Sequence, residues 1–211
     1  MAKTWTHVLV TVGSTRFDKL LDQMSDVNTL GLLSSFGCTH LTIQYGSSGC
    51  PPIHSNPFNI TLLSSFGCTH LTIQYGSSGC PPIHSNPFNI TVNAFDYKTS
   101  IMDDMMSADV VIGHADPNIR LSVCPSGAGT ALEVLRLHKP FLMVVNDELM
   151  ANHQKELAID LQSEGYLRYC YPNQLQESLR SFGDQTMASL KTFPDPMPHL
   201  FSDFIDSIFF K

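Results

Sequence analysis

Basic residues are scarce in this chain, with 12 lysines and arginines against 19 aspartates and glutamates and a formal net charge of −7. No lysine or arginine cluster stands out, so a nucleic-acid-binding surface is not expected. Long apolar runs are lacking too. The first, Val8 to Val12, is strand-length, too short for a membrane span and without the cleavage region of a secretory signal. Any membrane role is therefore expected to come through a partner. Six cysteines occur, but none in Cys-x-x-Cys or comparable metal spacing, which points to free thiols and no metal centre.

What the chain does contain is, first, an exact repeat. Residues 32–61 and 62–91 are the same thirty residues, LLSSFGCTHLTIQYGSSGCPPIHSNPFNIT. Solenoid repeats are approximate and need three or more units, so two identical copies read as a tandem duplication or a gene-model error. Only one copy is expected to take a regular place in the fold, the other forming an extra edge strand or a loop.

Apolar strands alternate with amphipathic segments along the rest. His7 to Val12 reads as a strand, Phe17 to Met24 as a helix, and His40 to Tyr45 or its twin His70 to Tyr75 as a strand. Phe88 to Phe95 (strand), Tyr97 to Ser107 (helix) and Asp109 to His114 (strand) follow. Thr130 to His138 is helical, Phe141 to Val145 a strand, and Asn152 to Glu164 a helix with Leu157, Ala158 and Leu161 inward. Tyr166 to Cys170, Asn173 to Phe182 and a final amphipathic segment, Leu200 to Phe210, complete the chain. Such alternation calls for an α/β fold, a parallel sheet with helices on both faces and ligands beyond the carboxyl ends of its strands.

The candidate ligand residues fall at that edge. Gly127-Ala128-Gly129 precedes Thr130 at a helix start, where unpaired backbone N–H groups can hold a phosphate. Leu132 stands where a dinucleotide fingerprint needs a third glycine, which disfavours a dehydrogenase domain. Glu133 lies one turn along, in reach of a ribose. His114 ends a strand, Gly13-Ser14-Thr15 forms a strand-to-helix turn, and Asn152-His153-Gln154 opens a later helix. Asp103-Asp104 lacks Asp-x-Asp spacing, so no divalent ion is expected.

Several stretches carry a resemblance: Val10-Thr11-Val12-Gly13-Ser14-Thr15-x-Phe17-Asp18, Leu71-Thr72-Ile73-Gln74-Tyr75-Gly76, Ala108 to Ala115, Gly127 to Leu135, Lys139-Pro140, Val145 to Gln154 and Glu156-Leu157-Ala158. In these the chain resembles the catalytic subunits of dolichol-pathway UDP-N-acetylglucosamine transferases, which are similar to the donor half of GT-B, family 28-like glycosyltransferases. The resemblance runs from about Thr6 to Phe182. It implies a Rossmann-like fold equivalent to a C-terminal donor-binding half. The activity implied is inverting β-1,4 transfer of a second GlcNAc from UDP-GlcNAc to GlcNAc-diphosphate-dolichol, without a cofactor. It also implies a cytoplasmic polypeptide recruited to the cytosolic face of the endoplasmic reticulum by a membrane-anchored, acceptor-binding subunit.

On that reading residues 1–182 form the nucleotide-sugar domain and residues 183–211 a tail whose helix serves partner docking. The donor site would comprise Gly13, Ser14, Thr15, His114, Gly127, Ala128, Gly129, Thr130, Glu133, Asn152, His153 and Gln154. One departure matters: residues 116–126 separate His114-Ala115 from the glycines, where the family pattern is continuous. An alternative is therefore a catalytically impaired, partner-binding isoform.

Overall fold

The computed structural model describes residues 5–13, 16–45, 60–75, 90–96, 98–114, 129–147, 153–183, 189–195, 197 and 199–209. Their order is β1 His7–Thr11, α1 Asp18–Ser25, α2 Val27–Ser35, β2 His40–Gln44, α3 Ile60–Ser65, β3 His70–Gln74, β4 Thr91–Phe95, α4 Met102–Ser107 and β5 Val110–Gly113. Then come α5 Thr130–Arg136, β6 Phe141–Val144, α6 His153–Ser163, β7 Arg168–Cys170, a 3-10 turn Pro172–Gln174, α7 Leu175–Ser181 and α8 His199–Phe209.

All strand pairs are parallel, in the order β4-β3-β2-β1-β5-β6-β7. Strand side chains alternate between faces, and the core divides accordingly. Val8 and Val10 of β1, with Val110 and Ile112 of β5, pack under α1, α2, α3 and α7 through Leu20, Leu33, Leu63 and Leu179. Leu9 and Val111 face the other way, onto Met105, Val134 and Ala158 of α4, α5 and α6. This is a Rossmann-like parallel sheet with helices on both faces.

The duplicated segment behaves differently from the sequence-based expectation. Both copies enter the sheet, and neither is an edge strand. β2 pairs with β1 and β3, and β3 with β2 and β4. The copies align residue for residue, His40 on His70 through Gln44 on Gln74. Identical sequences bury identical faces, so this register keeps every apolar side chain on its proper side. Each strand is preceded by the same Leu-Leu-Ser-Ser helix end and a left-handed glycine, Gly37 (φ 87°) and Gly67 (φ 82°). If β3 is left out, the order becomes 3-2-1-4-5-6, that of a dinucleotide-type doubly wound sheet. The second copy thus inserts one strand into that order.

Three further expectations are corrected. Leu157 is 38% exposed, because the buried face of α6 runs through Gln154, Ala158 and Leu161. α4 starts at Met102 rather than Tyr97, with the Ser100 hydroxyl accepting from the Met102 N–H at 3.1 Å. α2 and α3 were not foreseen; α2 is capped by Asp26, which accepts from the Asn28 N–H at 2.8 Å.

Candidate functional site

The chain runs outward from β1 through β2, β3 and β4, then returns to β5 on the other side of β1. The strand order therefore reverses between β1 and β5, and the crevice beyond their carboxyl ends is where such sheets take ligands. Gly13 leaves β1 at this point with φ 65°, a left-handed conformation natural to glycine. β5 comes close beside it: a Cβ on Gly113 would lie 2.6 Å from the Thr11 carbonyl oxygen. His114 follows directly. It is 1% exposed, and its ring meets that of Phe17 nearly edge-on, with centroids 5.2 Å apart.

The helices after β5 and β6 begin at the same edge with Gly129, Thr130, Glu133 and Gln154. Gly129 (φ −63°, ψ 165°) is the N-cap of α5, without a side-chain cap. Thr130 is buried, and Glu133 is half-buried one turn along the helix. α6 starts at His153, and Gln154 in its first turn is 3% exposed. Neither amide atom of Gln154 has a hydrogen-bond partner. A buried, unsatisfied polar group costs about 1–3 kcal/mol, which makes this the most telling side chain of the edge. Ser14, Thr15, Gly127, Ala128, Asn152, the insertion 116–126 and the side chain of His153 lie outside the described residues.

Residues not anticipated as site members tie this edge together. The side-chain amide of Gln44 donates to the Gly13 carbonyl at 2.9 Å, and its oxygen accepts from the Gly13 N–H at 3.1 Å. Asn146, buried after β6, donates to the Arg16 carbonyl at 3.4 Å. Lys19 and Asp147 pair at 3.1 Å, beside an open cleft also lined by Asp22, Gln23, Pro172 and Asn173. Burial, then the nearby Asp18, raises the Asp22 carboxyl above its ordinary range. No sequence signal marks Gln44 that its twin Gln74 does not carry equally.

Other reactive groups lie away from this edge. Burial pushes the Cys38 thiol up to about 12 and that of Cys170 to about 11, so both stay protonated. Among the described residues, no group of three or more His, Cys, Asp or Glu has metal-holding geometry, and no helix is long and apolar enough to cross a membrane.

This architecture, with its polar switch-point crevice, defines a Rossmann-like domain of the kind that forms the C-terminal half of GT-B glycosyltransferases. Residues 7–193 match the model of the glycosyltransferase family 28 C-terminal domain, and the chain belongs to that family. It is similar to the mouse protein named UDP-N-acetylglucosamine transferase subunit ALG13, at 34% identity over 164 residues, 78% of this chain and 10% of that protein. The Cryptococcus neoformans protein of the same name is 28% identical over 99% of this chain and 98% of its own length. The chain spans about a tenth of the length of the mouse and human relatives. Solved structures share the fold, two of them along nearly the whole chain. An NMR structure of ALG13 matches at TM-score 0.53 and 24% identity, covering 99% of this chain and 98% of its own. The Acinetobacter baumannii MurG crystal structure matches at 0.53 and 13%, covering 99% and 50%.

Proposed function

We propose that this chain is the catalytic subunit of a UDP-N-acetylglucosamine transferase that adds the second GlcNAc, β-1,4, to GlcNAc-diphosphate-dolichol. The donor sits in the crevice beyond β1, β5 and β6. The observation that carries this reading is Gln154: a buried amide with both donor and acceptor unmet, at a ligand-binding edge in a glycosyltransferase family, suits sugar hydroxyls. In this assignment the turn of residues 13–15, His114 and residues 127–130 face the diphosphate, Glu133 the ribose, and residues 152–154 the sugar.

In the reaction the acceptor hydroxyl attacks the anomeric carbon as the bond to UDP breaks on the opposite side, inverting that centre. Negative charge grows on UDP. A helix end supplies only ~0.3–2 kcal/mol, so several converging donors in a closed cleft must supply the rest. One domain provides one wall of such a cleft. The proposal therefore includes a membrane-anchored, acceptor-binding partner that holds the chain at the cytosolic face of the endoplasmic reticulum. The tail beyond residue 182 suits docking: Phe204 and Ile208, one turn apart on α8, are 60% and 53% exposed.

A transfer assay with partner-containing membranes tests the reading. GlcNAc transfer from UDP-GlcNAc to the lipid acceptor is expected; its absence, with the complex folded and assembled, rejects the enzyme assignment. Residues 116–126 motivate the second reading, an impaired partner-binding isoform. Transfer that appears only after their removal supports it, and equal activity with and without them rejects it.

A further inference from the structure

We propose that Gln44 is a positioning residue for the donor site and that its twin Gln74, identical in sequence context, has no part in it. The inference rests on the donor-site reading above and assigns a role within it.

Thr11, Gln44 and Gln74 stand side by side across β1, β2 and β3, with Gly113 completing the row on β5. Of the two glutamines, only Gln44 lies on a strand paired with β1. Its amide bonds both backbone polar groups of Gly13, and its oxygen also accepts from the Thr11 hydroxyl. Two-way bonding to one residue's backbone is what a neighbouring strand does. The Gln44 carbonyl already accepts from the Val12 N–H, and its side-chain amide extends the ladder to Gly13, two residues beyond the end of β1, where the left-handed Gly13 turns the chain.

The Gly13 N–H is further shared with the Thr11 hydroxyl oxygen at 3.3 Å. A proton already held between two inward acceptors is not available to a phosphate oxygen. Gly13 therefore acts through shape: Gln44 fixes the Gly13 backbone, and with it the outline of the crevice beyond β1. Gln74 is one strand further out, a spacing of about 4.7–4.9 Å, and bonds no part of Gly13. Two chemically identical residues are separated in role by sheet position alone.

The test compares Gln44→Met, which keeps side-chain volume but removes both bonds, with Gln74→Met in the full chain assembled with partner membranes. UDP-GlcNAc is the probe. Gln44→Met is expected to raise KM for UDP-GlcNAc by about tenfold or more with a smaller change in kcat, and to speed hydrogen exchange at the Gly13 amide. Gln74→Met should match wild type in both. Gln44→Glu keeps an acceptor but cannot donate to the Gly13 carbonyl; it serves as a second variant and should also raise KM. Thermal midpoints are recorded for all, since a purely structural role would lower stability without the KM-specific effect.

Unchanged KM in Gln44→Met and Gln44→Glu overturns the inference, as does an equal rise in Gln74→Met. Wild type that neither binds nor turns over UDP-GlcNAc removes the donor-site reading itself and this inference with it.

Discussion

The imidazole of His40 lies flat against that of His70, with ring centroids 4.1 Å apart and planes 5° from parallel. The His7 ring continues the row, 5.8 Å from that of His40. Each of the stacked rings is fixed through Nδ1 by the preceding threonine, Thr39 at 2.8 Å and Thr69 at 2.9 Å. The row exists because identical strands pair in register, so it comes directly from the duplication.

Acid should weaken this fold. Burial, then His70, lowers the pKa of His40. Burial, then His40, lowers that of His7, with Lys139 adding to the effect and Asp109 and Asp104 opposing it. A histidine whose folded pKa lies below its unfolded value near 6.5 contributes stability above that pH and loses it as pH falls. The thermal midpoint is expected to fall from about pH 7.5 to about pH 5, and to fall less in His40→Gln. A wild-type midpoint flat across that range would contradict the account.

Gly113→Ala should be costly. The added Cβ would meet the Thr11 carbonyl oxygen at 2.6 Å and its Cγ2 at 3.0 Å. Backbone cannot swing aside as a side-chain tip can, so a loss of about 1–3 kcal/mol is expected. In a chain of this size that is a midpoint drop of roughly 2–4 °C per kcal/mol. Calorimetric unfolding checks it; a midpoint equal to wild type would mean that β1 and β5 separate freely.

Gln154→Leu should separate stability from ligand binding. It replaces a buried amide without partners by an apolar side chain of similar size, so a gain of about 1–3 kcal/mol is expected. Affinity for UDP-GlcNAc should fall sharply in the same variant. Thermal melts and donor titration of the assembled complex read the two effects. Lower stability with intact donor affinity would show that the amide serves packing alone.

Removal of residues 62–91 should leave a folded protein. The edge that β3 offers to β4 is chemically the edge that β2 would offer, with His40 facing Thr61, then joined to Val92, as His70 faces Thr91 now. A six-stranded sheet in the order β4-β2-β1-β5-β6-β7 is expected, with the Gln44–Gly13 bonds intact and a smaller denaturant slope in proportion to the lost surface. Circular dichroism and urea unfolding decide. An uncooperative transition would show that the copies stabilise each other beyond simple extension.

The alternation of strands and helices was legible because Val8 to Val12, Val110 to Ile112 and Phe141 to Val145 are buried runs bounded by glycine, proline or polar residues. Helix α2 was less so, since Asn28, Thr29 and Gly31 are weak helix formers held by tertiary packing. In α6 the pattern misled, because buried Gln154 occupies a place that periodicity reserves for an apolar side chain. The edge candidates Gly13, His114 and Gln154 followed from the rule that crossovers begin at strand carboxyl ends. Gln44 did not, because its role depends on β2 lying beside β1. No local signal could tell its segment from an identical one.

The in-register pairing of β2 with β3 also has a consequence for variation. The inner tile meets β1 and Gly13, while the outer one meets only its own likeness and β4. Two stretches that are interchangeable as text thus bear unequal burdens, and drift should be tolerated sooner in the outer than in the inner.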